Sequence, residues 1–452
     1  MNHLVRVQSS SLLCLVGRGR LSSPLCLVLF FLWLSLASAG RSLVEQRCLL
    51  HPHWKDLLHN YSSLYASSLE LLAGGDARGE GARVRFTVAV IEPRSSRIGL
   101  GDVLPGLSNI FLSALRHNRM FWLDWELALG SVLEPGSGLN AFHLPANASH
   151  GSWRQIVDKL SPNATFLHGG PPELAGDTAP LTPWSVDAVS ADVAVFKEFN
   201  RGVYTRYGAT HPDDTAWLER TVPRGPDGAL AFGCVYAAAL RFSPTFLQYV
   251  TRLKEKTFRP SKGRVMCVHL RLGDTALVKH VRPSDTSPQF QRATACLDRV
   301  LDARRETAVF VAADDASAVR MLGDHVRARN HTFISSQLKV AHVANWREQK
   351  EQSHWYRAVP LLRHAPWLRF ESITDQEIID AYTSSWAEWM LLSSCPLLLL
   401  SSSGFSRTAA AYGSVVSADG EPSRQTLYNF GANCTALRGP NRDVQCSEGA
   451  GC

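Results

Sequence analysis

The sequence predicts an α/β protein whose parallel sheets are covered by helices on both faces. Three observations carry that prediction. Short apolar runs at 265–270, 308–312 and 397–400 are continuous rather than alternating, as in strands buried on both sides. Stretches with apolar positions at helical spacing separate them. With 452 residues, 45% hydrophobic and 19% charged, the chain has material for two globular domains plus extensions.

In chain order, the first feature is a targeting segment. An apolar run over 25–39 follows Arg6, Arg18 and Arg20, with no acid before it. Residues 1–23 read as a cytosolic tail or n-region and 24–39 as a signal anchor or signal peptide. The run is short for a bilayer span, and Ala37-Ser38-Ala39 before Gly40 fits a cleavage site, whereas the long n-region favours a type II anchor. Either way the remainder is expected in the secretory lumen, at the ER or Golgi membrane if anchored and secreted if cleaved. Five N-x-S/T acceptors, at Asn60, Asn147, Asn163, Asn330 and Asn433, agree with that compartment. Eight of the ten cysteines follow the apolar run, so disulfides are permitted, and no C-x-x-C pair supports zinc or redox chemistry. Cys267 and Cys395 fall in or beside buried strands and read as small core residues rather than a bridge. The net charge of +7 is spread along the chain with no basic stripe, which argues against nucleic acid.

Residues 40–82 hold a Tyr/Ser-rich helical patch and a Gly-rich stretch, read as a stem. A first α/β domain is expected over 83–260 and a second, Rossmann-like one over 261–452. "RVRFTVAVIE" reads as a strand, "RSSRIGLGD" as a loop, "VLPGLSNIFLSALRHN" as a helix and "MFWLDW" as a second strand. From 130 to 260, Pro/Gly clusters and scattered aromatics give no assignable order. The pattern then resumes with a strand at 265–270, a helix over 289–305, a strand at 308–312, a helix over 316–329, a short strand near Thr332, a helix over 375–394 and a strand at 397–400.

Three of these strands end in polar residues, "VHLRLGD", "VFVAADD" and "LLLLSSSGFSR". In an open parallel sheet the crevice beyond the carboxyl ends is where ligands bind, so the three ends should converge. Arg271 offers a planar fork for phosphate oxygens; Ser402, Ser403, Gly404 and Ser406 sit in a loop feeding a helix whose first amides point outward. Asp314 and Asp315 suit a base edge or sugar hydroxyls, and "ADD" also suits a helix N-cap. "GLGD", with Gly99, Gly101 and Asp102, permits close approach of backbone to a ligand or forms a tight turn. The nearest approach to a metal-binding D-x-D is "DWE", Asp124 to Glu126, at the end of a core strand; no metal is expected.

Together, "GLGDVLPGLSNIFLSALRHNRMFWLDW", "VHLRLGD", "VFVAADD" and "LLSSCPLLLLSSSGFSRTAAAYG" resemble, in the same order, the GDP-fucose-dependent fucosyltransferases, the group of α1,6-, α1,2- and protein O-fucosyltransferases. The resemblance implies a GT-B arrangement, two Rossmann-like domains facing across a cleft, and inverting transfer of fucose to a glycan or protein hydroxyl without metal or cofactor. It implies that Arg271 binds the β-phosphate and stabilises the departing diphosphate, and that His269 lies against the nucleotide. Asp314 or Asp315 would face guanine or ribose, and Ser403, Gly404, Phe405, Ser406 and Arg407 would line the diphosphate and fucose pocket. Gly99, Gly101 and Asp102 would close the cleft. One departure stands out: the α1,6 enzymes carry a Glu shortly after the arginine motif, whereas this chain reads "TALVKHVRPSD". Asp274, His280 or Asp102 is left to act as base, with Asp274 preferred, or the reaction proceeds without a strong one. The competing readings are the same fold with another nucleotide sugar, and a catalytically silent protein that binds a glycan or partner.

Overall fold

In the computed structural model the chain builds two sheets in sequence. The structure describes residues 48, 52–73, 85–91, 100–125, 131–134, 166–169, 184, 190–197, 212–221, 229–261, 265–271, 288–302, 308–338, 374–401, 403–416, 426–429 and 434–437. All of them lie in one compact unit, Leu43–Cys452. After helix α1 (Pro52–Ala73) come β1 (Phe86–Ile91), α2 (Leu100–Arg116), β2 (Met120–Trp125), β3 (Phe166–Gly169) and β4 (Val193–Lys197). These strands form an all-parallel sheet ordered β2-β1-β4-β3. Helices α3 (Pro212–Thr221), α4 (Ala229–Ala239) and α5 (Pro244–Phe258) lead to the second sheet.

That sheet uses β5 (Val265–Leu270), β6 (Ala308–Ala313), β7 (Thr332–Ile334), β8 (Leu397–Leu400), β9 (Thr426–Asn429) and β10 (Thr435–Leu437), in the order β10-β9-β8-β5-β6-β7. Only the β9–β10 pair is antiparallel. The connecting helices are α6 (Pro288–Asp302), α7 (Ala316–Ala328), α8 (Asp375–Ser393) and α9 (Gly404–Val416). Strand side chains alternate, and β5 shows the result. Met266, Val268 and Leu270 join a core cluster with α6 and α7, while Cys267 joins the cluster shared with the first sheet. Both faces of this parallel sheet are therefore covered, as the continuous apolar strands predict.

The boundaries expected from 265 onward agree with these elements to within three residues. The stretch from 130 to 260, unassigned from sequence, holds β3, β4, α3, α4 and α5. Helix α4, "ALAFGCVYAAA", is apolar nearly all round because it packs against both α2 and α9, so it shows no amphipathic stripe.

Two expectations need correction. The segment 40–82 is not wholly a stem: Trp54 and Tyr61 of α1 are buried in the main core, and Tyr61 Oη accepts a hydrogen bond from Phe121 N at 2.6 Å. Cys48 is also bonded to Cys234 of α4. Nor are Cys267 and Cys395 separate core thiols; they form a disulfide with Cα atoms 6.1 Å apart. Met266 pairs with Leu397, and the turn from α8 into β8 lays Cys395 over β5. Cys296 and Cys434 form a third bridge, and Cys446 and Cys452 lie outside the described residues. Among the described residues no helix is long and apolar enough to cross a membrane; the targeting segment lies outside them.

Candidate functional site

Strands β8, β5 and β6 are neighbours, and their carboxyl ends deliver Ser401, Arg271 and Asp314 to one edge. The chain leaves β5 for β6 on one side and later enters β8 on the other, so this edge contains the topological switch point of the sheet. Arg271 Nε lies 3.4 Å from Asp314 Oδ2. The Asp314 side chain is 6% exposed and that of Arg271 25%, so the carboxylate is sunk and the guanidinium reaches toward solvent.

His269 is buried one turn of the pleat earlier. Its Nδ1 lies 3.1 Å from Ser401 Oγ, and its carbonyl accepts from Ser401 N at 3.2 Å, so two contacts tie β5 to the end of β8. Burial, and secondly the charge on Arg271, push the imidazole pKa down to about 3, so the ring is neutral. Phe405 stands beside it, with ring centroids 5.2 Å apart.

The polar loop after β8 starts α9. Ser403 Oγ accepts from Phe405 N at 3.2 Å, and Ser403 O accepts from Arg407 N at 3.3 Å. Ser406 is fully buried, its hydroxyl 3.4 Å from Ser403 O, and Arg407 is half-buried in the first turn. Ser402 lies outside the described residues.

Helix α2, which follows β1 in the other sheet, meets α9 at its own first turn. A Cβ on Gly101 would lie 2.2 Å from Phe405 N, and one on Gly404 would lie 2.2 Å from Gly101 O. Neither position accommodates any side chain. Pro105, inside α2, has no N–H to offer the Gly101 carbonyl, which is the one that faces Gly404. The close approach these glycines permit is thus between two protein backbones, and its result is to set two helix N-termini, each carrying partial positive charge, side by side near Arg271 and His269.

Asp315 is the N-cap of α7. Its Oδ1 accepts from Ser317 N at 2.7 Å and Ala318 N at 3.0 Å, and from the Ser317 hydroxyl. Asp314, next to it, is turned to Arg271. Gly99 and Asp274 lie outside the described residues, as do Lys279 and His280; the Asp102 backbone is in the first turn of α2. Among the described residues no group of three or more His, Cys, Asp or Glu is placed to hold a metal ion; Glu126 of "DWE" lies outside them.

One residue of this edge was missed by the sequence reading. Ser401 looked like one more serine of a polar loop, and only the register of β8 against β5 places it on His269. A second unusual carboxyl, Glu388 on α8, is tied to Ser336 rather than to the residues of this edge: it accepts from Ser336 Oγ at 2.9 Å, and burial pushes its carboxyl up to about 7. Nothing in "SSWAEWM" separates it from an exposed helical glutamate.

No protein-family model matches the chain, and no curated protein matches it. Among solved structures, a mutant of Arabidopsis thaliana FUT1 in complex with GDP is similar at a TM-score of 0.48 and 14% identity, over 84% of this chain and 78% of that one. The fucosyltransferase NodZ from Bradyrhizobium is similar at 0.41 and 16%, over 79% of this chain and 99% of that one. POFUT1 in complex with GDP-fucose follows at 0.38 and 10%, over 78% and 99%. At such identities and TM-scores the chemistry has to come from the residues. Two further similar structures are of the α1,6-fucosyltransferase NodZ, one co-crystallised with GDP and one soaked with GDP-fucose, at a TM-score of 0.39 each.

Proposed function

We propose that this protein is a fucosyltransferase of the secretory pathway, transferring fucose from GDP-fucose with inversion to a hydroxyl of a glycan or protein acceptor. The observation that carries the reading is the shared edge of β8, β5 and β6, where Arg271, held by Asp314, stands with His269 beside the N-terminus of α9. The four motifs that resemble the GDP-fucose-dependent group fall on this edge and on α2, which touches it through Gly101 and Gly404.

Breaking the anomeric C–O bond places negative charge on the leaving diphosphate. A guanidinium in contact with it offers on the order of 4 kcal/mol at an effective dielectric near 20. Arg271 is positioned for that work because Asp314 fixes its Nε side. Backbone amides at the start of α9 supply further donors. In this reading no metal takes part, the arginine and the helix termini doing what a cation would do. Asp314 or Asp315 faces guanine or ribose, Asp315 through the oxygen not committed to its cap. Ser403, Phe405 and Arg407 line the diphosphate and fucose, whereas Ser406, fully buried with its hydroxyl turned to the Ser403 carbonyl, supports the turn. The cleft lies between a first domain, 83–260, and a second, 261–452, and an N-terminal anchor keeps both in the ER or Golgi lumen. The base for the acceptor hydroxyl is sought among Asp274, His280 and Asp102, or the reaction proceeds without a strong one.

The test is thermal unfolding of the protein with GDP, UDP, CMP or GDP-fucose and no added metal. GDP and GDP-fucose should stabilise it selectively, by about 2.7 kcal/mol at a hundred times the dissociation constant. Stabilisation by UDP alone overturns the donor assignment. No response to any of the four at high concentration overturns the transferase reading in favour of a silent binding protein.

A further inference from the structure

His269 has two nitrogens in unlike settings. Nδ1 is 3.1 Å from Ser401 Oγ, and Nε2 has no hydrogen-bond partner among the described residues. The ring is 5% exposed and sits two residues from the Arg271 cation, which together keep a second proton off it. A neutral imidazole donates at one nitrogen and accepts at the other. Which is which follows from the serine. Ser401 is 3% exposed, and among the described residues its hydroxyl has one hydrogen-bond partner, Nδ1. Were Nδ1–H the donor, the serine O–H would be left buried with no described acceptor, at the full cost of desolvation. With the serine donating to Nδ1, both groups are satisfied and the ring proton falls on Nε2.

We infer that Ser401 holds His269 as the Nε2–H tautomer, so that the ring meets its ligand as an uncharged hydrogen-bond donor. Ser401 is thereby a positioning residue. Its place is fixed by the main chain, because Ser401 N donates to the His269 carbonyl at 3.2 Å, and the Phe405 ring limits rotation of the imidazole. Two consequences follow. The ligand atom opposite Nε2 is an acceptor, such as a diphosphate or sugar oxygen, which rests on the nucleotide-sugar reading above. And His269 is not the general base, since the nitrogen not engaged by Ser401 already carries the proton.

The experiment is ¹⁵N NMR of the full chain labelled at histidine, where a protonated ring nitrogen and a bare one resonate far apart. The chain has 16 histidines, so the His269→Gln variant serves to identify the signals that belong to this ring. The expected result is a protonated Nε2 and a bare Nδ1 shifted by an accepted hydrogen bond. In Ser401→Ala the Nδ1 signal should move to that of a free nitrogen, and affinity for GDP should fall about tenfold, the worth of one hydrogen bond. Ser401→Thr keeps the hydroxyl and should restore both. A proton on Nδ1 in the parent overturns the inference, as does an Nδ1 signal unmoved by Ser401→Ala. A parent that binds no GDP sinks the transferase reading instead, and the spectrum still decides the tautomer.

Discussion

The triplet His-x-Arg stands at His117 to Arg119 and again at His269 to Arg271, and the fold puts the two at opposite ends of a parallel strand. The first precedes β2. Arg119 is 1% exposed there, and its guanidinium donates to Thr87 Oγ1 at 2.9 Å and to the carbonyls of Phe86 at 2.5 Å, Ala191 at 2.8 Å and Asp192 at 3.4 Å. It binds together the starts of β2, β1 and β4. The second triplet closes β5, where Arg271 has a carboxylate at its Nε and a quarter of its side chain exposed. Both histidines are kept neutral by burial. What differs is the polarity of the strand. At the amino ends the arginine is committed to main-chain carbonyls and its role is structural; at the carboxyl ends helix N-termini gather, and the same residue is set up for an anion.

The largest effect should come from Arg119→Ala. It takes a donor from the buried carbonyls of Phe86 and Ala191 and from the buried Thr87 hydroxyl, and loss of a buried, fully hydrogen-bonded cation costs about 3–5 kcal/mol. Denaturant unfolding of the purified variant reads this directly. Arg271→Ala takes the cation away from the sunk Asp314 carboxylate and should cost about 1–3 kcal/mol, less than Arg119→Ala, yet lose fucosyl transfer on the order of a thousandfold. Arg271→Lys should fall nearly as far, since lysine keeps the charge and loses the fork. An Arg119→Ala protein as stable as the parent, or an Arg271→Ala protein that does not fold, would erase the distinction between the two triplets.

An intermediate effect is expected at the joint through which the first sheet reaches this edge. A methyl at Gly404 would meet the Gly101 carbonyl at 2.2 Å, backbone against backbone, so Gly404→Ala should cost about 1–3 kcal/mol and weaken GDP binding by separating α2 from α9. Gly323→Ala is the control. Its methyl would meet only the end of the Phe333 ring, at 2.8 Å, which can turn aside, and alanine favours the helix, so its cost should stay under about 1 kcal/mol. Equal losses in the two variants would mean that the α2–α9 contact is not a rigid joint.

Much of the second sheet was legible because its strands are continuously apolar and each ends abruptly in polar residues; Arg271, Asp314 and Ser403 were read from those ends. The pairing that gives His269 its partner was not. His-x-Arg occurs four times in the chain, at His117, His269, His280 and His325, and the triplet carries no record of which end of a strand it occupies. Ser401 and His269 are 132 residues apart, joined only by the register of β8 on β5. The Cys267–Cys395 bridge was hidden for the same reason, and α4 because burial on all sides removes the periodicity by which helices are recognised. The glycines of "GLGD" pointed to close approach, but only the fold shows that another helix is what approaches.

The smallest effect concerns the two histidines and bears on whether the regions share their electrostatics. Burial, with Arg116, Arg119 and Arg85 adding to it and Asp214 opposing, brings His117 down to about 4; burial and Arg271 bring His269 to about 3. Near pH 7 neither ring is charged, folded or unfolded. Below the unfolded value of about 6.5 the unfolded chain takes up protons that the folded rings refuse, so each histidine makes stability fall as pH falls. Between pH 7 and pH 5 that amounts to about 2 kcal/mol for His269, and about 1 for His117, whose more accessible ring solvent screens. Glu388 works in the other direction, because a carboxyl raised to about 7 binds its proton in the fold first, and stability rises as pH falls from about 7 toward the unfolded value. The parent's net change is therefore small and uninformative, and the variants separate the contributions. His269→Gln should lose about 2 kcal/mol less than the parent over that interval, and His117→Gln about 1 less, read from denaturant midpoints at the two pH values. If His269→Gln and the parent instead shift in parallel, the ring beside Arg271 is charged in the fold, and the second triplet differs from the first in its protonation as well as in its place on the strand.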